Sequence, residues 1–282
     1  MVKDPKVRKG YFKTSDGAYL YYEDTGDGDP IVFAPGHMCT TKFYAKNVDA
    51  LKQTHRVVCF DSRGFGSSSK PLHGNCVDRH ADDIKELLDH LDIDRAALVA
   101  WSLSGSIAVT YAAKYKGHRL KALGLLDCSL FPFSPEPWNT YNSRDYNMDD
   151  WNEKYIPWHT DIDRYVENFV SRLRDDLTPE EVDMVRTEIL KTPPWIGFAL
   201  HSDWCHTDAV SLLGDVPVPV VIFSGVSKGH GFEMGRHYKT QVKTYCELHE
   251  FAKGGHVLFM ADPERFNKIL TDFLTAIGSG NP

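Results

Sequence analysis

Apolar positions in this chain gather into short, nearly uninterrupted runs, each closed by a turn: Ile31 to Ala34, Arg56 to Phe60 and Ala97 to Trp101. Runs without polar alternation predict strands covered on both faces, as in a parallel sheet sandwiched by helices. Ala122 to Leu126, Val218 to Phe223 and roughly Tyr245 to Phe251 extend that sheet, while the alternating stretch Ala18 to Glu23 reads as an early strand before the turn Asp27-Gly28-Asp29-Pro30. Between the runs the period changes. Asp82 to Leu91 carries apolar residues at helical spacing, and a second helix is expected from Ser104 to Tyr115.

From Cys128 to Cys205 the texture differs: five of the six tryptophans lie here (Trp138, Trp151, Trp158, Trp195, Trp204), with no central-strand run. Asp161 precedes one helix, and Thr178-Pro179-Glu180-Glu181 gives another an N-cap, a proline and early acidic residues. Residues 128–205 therefore read as a helical, aromatic-rich lid inserted into a core of residues 1–127 and 206–282. Such a lid would sit over the carboxyl edge of the sheet, where open α/β sheets bind ligands.

Composition sharpens the picture only in places. At 282 residues with 42% hydrophobic and 25% charged residues, one α/β domain with an insertion suffices. A net charge of −7 with no long basic run argues against a nucleic-acid surface. Six scattered cysteines without a C-x-x-C pair signal neither a zinc site nor a disulfide framework. Met1 to Lys9 lacks the apolar core of an export signal, and no run approaches the ~18 apolar residues of a membrane span. A cytoplasmic protein acting on a small molecule is the expectation; oligomeric state is not legible.

The stretch Ala97-Leu98-Val99-Ala100-Trp101-Ser102-Leu103-Ser104-Gly105-Ser106 carries the chemistry. Strand, abrupt small-residue turn and helix would hold the Ser102 hydroxyl at a strained corner beside free backbone N–H groups, poised to attack a carbonyl. The G-x-S-x-G pattern is not literal, since Ala100 and Ser104 stand where glycine is usual. A shifted alignment centred on Ser104 also satisfies small-x-Ser-x-small, but Ser102 directly follows the apolar run.

With Ala34-Pro35-Gly36-His37, the turn Asp61-Ser62-Arg63-Gly64-Phe65-Gly66-Ser67-Ser68, and Gly254-Gly255-His256 ahead of Ala261 to Phe266, the chain resembles the α/β-hydrolase superfamily over nearly its whole length. Within it, the esterase, lactonase and cofactor-free haloperoxidase branch is the nearest in pattern. The resemblance implies an α/β fold with a mostly parallel central sheet flanked by helices. It also implies an oxyanion hole from the backbone N–H groups of His37 and Leu103, and His256 as the general base. The His37 imidazole could instead touch substrate.

The acid is where the pattern departs. Many relatives place an aspartate three residues beyond a glycine after the strand ending at Phe223, yet Gly225-Val226-Ser227-Lys228 puts lysine there. Lysine cannot accept the imidazole N–H. Asp127, which closes an apolar run and would be costly there without a partner, is the expected acid, with Glu233 as the alternative. The expected activity is cofactor-free, metal-free hydrolysis of a small apolar or aromatic ester or lactone, with Trp101, Phe131, Trp138 and Trp158 contacting it. Perhydrolysis, haloperoxidation, carbon–carbon hydrolysis and cyanohydrin lysis use the same trio, so they remain alternatives, as does a non-catalytic ligand receptor.

Overall fold

One sheet organises the chain in the computed structural model, which describes residues 8–141, 144, 148–227 and 231–279. Lys228, the residue at the commoner acid position, lies outside the described residues. The strands are β1 (Arg8–Lys13), β2 (Tyr19–Thr25), β3 (Pro30–Ala34), β4 (Arg56–Phe60), β5 (Ala96–Trp101), β6 (Leu120–Leu126), β7 (Val220–Gly225) and β8 (Cys246–Phe251). In space they run β1-β2-β4-β3-β5-β6-β7-β8. Antiparallel pairing is confined to β1 with β2 and β2 with β4, and every other pair is parallel.

The expected apolar runs are the central strands. Every residue of β5 and β7 is buried, and in β3, β4 and β6 all but one residue is. β1 was not expected: it pairs through a hairpin at the sheet edge and buries only Phe12, so its sequence carries little periodic signal.

Helices α1 (Ala45–Leu51), α2 (Val77–His90) and α3 (Ser104–Lys114) flank the first half of the sheet. Five more follow β6: α4 (Met148–Tyr155), α5 (Pro157–Thr160), α6 (Ile162–Leu173), α7 (Pro179–Ile189) and α8 (Pro194–His206). After β7 come α9 (Phe232–Gln241), α10 (Leu258–Ala261) and α11 (Pro263–Gly278). α2 starts earlier than its periodicity suggests, because Asp203 of α8 accepts the Val77 N–H at 2.7 Å. That cap comes from 126 residues away, outside any local window. The two local caps behave as read. The Asp161 side chain accepts from the Arg164 N–H, and Thr178 with Glu181 forms a reciprocal capping box.

The Asp61-to-Ser68 turn is a structural knot. Asp61 accepts backbone N–H bonds from Thr41 and Ser67, and Ser68 Oγ donates to the Asp61 carbonyl while accepting from Tyr21 N–H. Arg63, fully buried, forks onto both Asp16 and Asp83 at 2.8–2.9 Å. Together these bonds tie the loop after β4 to β2 and α2. No helix among the described residues is long and apolar enough to cross a membrane.

Candidate active site

β5 delivers its last side chain, Trp101, and the chain then turns so sharply that Ser102 takes φ +59°. A non-glycine residue in that region is strained and persists because its neighbours fix it. Ser102 N–H donates to Leu126 O at 3.0 Å, and Ser102 O accepts from Gly105 N–H at 2.9 Å. The close approach expected at this corner falls on Gly105, where an added Cβ would lie 2.3 Å from Cys128 Sγ. This is why the site tolerates Ser104 in place of glycine. Ser104 opens α3, is 2% exposed, and donates its Oγ to Pro35 O at 2.5 Å. Its hydroxyl is occupied and faces inward, whereas Ser102 Oγ meets a histidine.

That histidine is His256. Its Nε2 lies 2.8 Å from Ser102 Oγ, and its Nδ1 lies 2.6 Å from Asp127 Oδ2. Asp127 follows β6 as Ser102 follows β5, again with positive φ (+45°), and is 4% exposed. Its second oxygen, Oδ1, accepts Gly225 N–H at 2.7 Å. The glycine is required there, since a Cβ on Gly225 would come 2.5 Å from Gly255 O. Trp101 Nε1–H donates to His256 O at 2.9 Å, so the residue before the serine also holds the histidine's backbone. Glu233 is exposed on the first turn of α9.

The backbone N–H groups of His37 and Leu103 have no acceptor among the described residues. The His37 side chain is committed: Nε2–H donates to Gly197 O of α8 at 2.9 Å. Burial lowers its pKa to about 3, so the ring is neutral.

Above Ser102 opens a cavity. Trp101, Ser102, His256, His37 and Cys39 form the part nearest the sheet. The facing wall comes from Lys154 and Tyr155 of α4, Tyr165, Phe169, Arg172 and Leu173 of α6, and His201 and Trp204 of α8, with Tyr141 beside them. Of the four aromatic residues expected to contact substrate, Trp101 lines the cavity and Phe131, Trp138 and Trp158 do not. Trp138 stacks on His237 (4.4 Å, 3°) and leans on Tyr238, on the α9 side of the sheet. Phe131 belongs to the same turn, tied down where Leu130 N–H donates to Tyr238 OH. Trp158 stacks behind Tyr165 (4.6 Å, 9°) as a second layer of the wall. The residues missed had a signal: Tyr165, Phe169 and Arg172 recur at i, i+4 and i+7 along a helix whose cap was legible.

The cavity's polar wall is made of basic side chains. Lys154 Nζ donates to His201 Nε2 at 2.9 Å, and burial brings Lys154 down to about 7 while holding His201 well below its usual range. Among the described residues no group of three or more His, Cys, Asp or Glu side chains is placed to hold a metal ion.

Comparison with known proteins fixes the family. A profile of the alpha/beta hydrolase fold matches residues 29–263. The chain is 28% identical over 267 residues to the AB hydrolase superfamily protein YisY of Bacillus subtilis (strain 168), covering 93% of this chain and 98% of that protein. It is 32% identical over 109 residues to the bifunctional esterase/perhydrolase DCH of Acinetobacter calcoaceticus, 38% of this chain and 40% of that protein. An esterase from Exiguobacterium antarcticum superposes with a TM-score of 0.84 at 19% identity, over 95% of this chain and 100% of that one. The chain is a hydrolase of the α/β-hydrolase fold family.

Proposed function

We propose that this enzyme cleaves small carboxylic esters or lactones through an acyl-enzyme on Ser102. The observation that carries the reading is one imidazole joining Ser102 Oγ at 2.8 Å to a buried carboxylate at 2.6 Å, at the base of a cavity. Because Asp127 accepts from Nδ1–H, His256 Nε2 carries the lone pair that takes the Ser102 proton as Oγ attacks the carbonyl carbon. Negative charge moves to the carbonyl oxygen, for which the unpaired N–H groups of His37 and Leu103 are the donors. The tetrahedral intermediate then collapses: the C–O bond to the alcohol breaks, and the Nε2 proton leaves with the alkoxide. Water, deprotonated by the same nitrogen, attacks the acyl group, releases the acid and restores Ser102. Asp127 keeps the ring in the tautomer and orientation that both halves need.

Residues 128–205 act in this reading as a lid over the core, supported by the α4, α6 and α8 side chains that face Ser102 across the cavity. The apolar and aromatic part of the wall suits a substrate of modest size. The six cysteines are unpaired, which fits a reducing cytoplasm. A second reading, perhydrolysis, is favoured by the local match to the esterase/perhydrolase. There hydrogen peroxide replaces water as the nucleophile on the acyl-enzyme, giving a peracid.

The test is a turnover profile on short p-nitrophenyl esters, γ-lactones, and acetate with hydrogen peroxide, for wild type and Ser102→Ala. Ester or lactone turnover that vanishes in the variant supports hydrolysis. Peracid as the main product would move the assignment to the second reading, and no turnover of any of them by folded protein would leave a binding protein.

A further inference from the structure

The cavity holds basic side chains that the reaction at Ser102 does not use. Arg172 and Lys154 line it together with His37 and His201, and no Asp or Glu is among the described residues that do. Asp127 is engaged by His256 and Gly225, and Glu188 by Thr40 and Lys191. Arg172 lies over the Phe169 ring at 5.7 Å. Among the described residues it has no carboxylate within 4.0 Å and no hydrogen-bond acceptor. Its charge also opposes protonation of Lys154, His201 and His37, after burial in each case, so the four groups share one field.

Among the described residues this half-buried guanidinium packs on the Phe169 face, which leaves its N–H donors for an anion. The planar fork of arginine matches a carboxylate through two parallel N–H bonds. Arg172 shares its helix face with the buried Tyr165 and Phe169, and Tyr165 is stacked on Trp158. We infer that the substrate is an ester or lactone bearing a free carboxylate, which seats on Arg172 with Lys154 beside it while the scissile carbonyl meets Ser102. This rests on the serine-hydrolase reading for the chemistry, but the anion site itself does not depend on turnover.

The experiment separates the two. Binding of monomethyl glutarate and of dimethyl glutarate to Ser102→Ala is measured by calorimetry, alone and combined with Arg172→Gln or Arg172→Lys. The expected result is at least tenfold tighter binding of the mono-anion. That preference should be lost with Arg172→Gln, partly kept with Arg172→Lys, and weakened for the mono-anion alone as salt rises from about 0.05 to about 0.5 M. Equal binding of the two esters, or a preference that survives Arg172→Gln, overturns the inference. If the glutamine variant does not fold, the salt titration on Ser102→Ala decides, a salt-independent preference counting against it. Wild-type kcat/KM for the same pair then reports the other reading: anion binding with no turnover of either ester sinks the hydrolase and leaves the anion site standing. Equal turnover with no binding preference does the reverse.

Discussion

Replacing Asp127 by asparagine makes the sharpest demand on this geometry. Asp127 accepts from Gly225 N–H at its Oδ1 and from His256 Nδ1–H at its Oδ2, at 2.7 and 2.6 Å. An amide offers one acceptor and one donor, so it cannot satisfy both. If its oxygen serves Gly225, its NH₂ meets His256 Nδ1, the ring proton shifts to Nε2, and the base that should receive the Ser102 proton is lost. If the amide flips, its NH₂ opposes Gly225 N–H in a buried site. Asparagine also tolerates the +45° φ at this position, so backbone strain adds little. The first arrangement is the wrong-tautomer case, for which kcat falls about 10⁴-fold, ~5.4 kcal/mol of barrier. Asp127→Asn should keep its far-UV circular dichroism and lose p-nitrophenyl ester turnover by that order. Glu233→Gln, on an exposed turn, should stay within about tenfold, ~1.4 kcal/mol. A folded Asp127→Asn within tenfold of wild type would refute the role given to the carboxylate.

Other consequences are quick to check. Ser102→Gly should melt higher than Ser102→Ala, by a few degrees for ~1 kcal/mol, because only glycine relieves the +59° φ; equal melting temperatures would mean that the corner is unstrained. Gly105→Ala should lower stability by about 1–3 kcal/mol, since its Cβ would meet Cys128 Sγ at 2.3 Å, and denaturant titration reads this directly. Asp16 is held below the ordinary carboxylate range first by its hydrogen bond with Arg63. The stabilisation from that bond is complete above an unfolded carboxylate's pKa of ~3.9 and is lost as pH falls through the lower folded value. Wild type should therefore lose melting temperature more steeply than Asp16→Asn between about pH 5 and pH 2, and parallel slopes would contradict the linkage.

The central strands and the elbow were legible because their signals are local. Short unbroken apolar runs bounded by turns point to strands covered on both faces, and a serine straight after such a run is placed by the run itself. Asp127 was legible for a related reason, as a charge at the end of a buried strand that needed a partner. What escaped depends on contacts between distant segments. The cap that starts α2 is Asp203, and the close approach that demands glycine is set by Cys128. The cavity wall escaped for the same reason. Tryptophan content pointed to Trp138 and Trp158, but only tertiary packing decides which aromatic residues face Ser102, and it selects Tyr155, Tyr165, Phe169 and Trp204. α8 gave little warning because its Trp195-Ile196-Gly197-Phe198-Ala199-Leu200 stretch is apolar on several faces, which blurs the helical period.

Labelling of the native protein with a fluorophosphonate, followed by peptide mapping, addresses the central claim most directly. A serine hydrogen-bonded to a histidine is an activated nucleophile, so one adduct is expected, on Ser102, absent from Ser102→Ala and greatly slowed in Asp127→Asn. An adduct on Ser104, or none on protein shown to be folded, would contradict it.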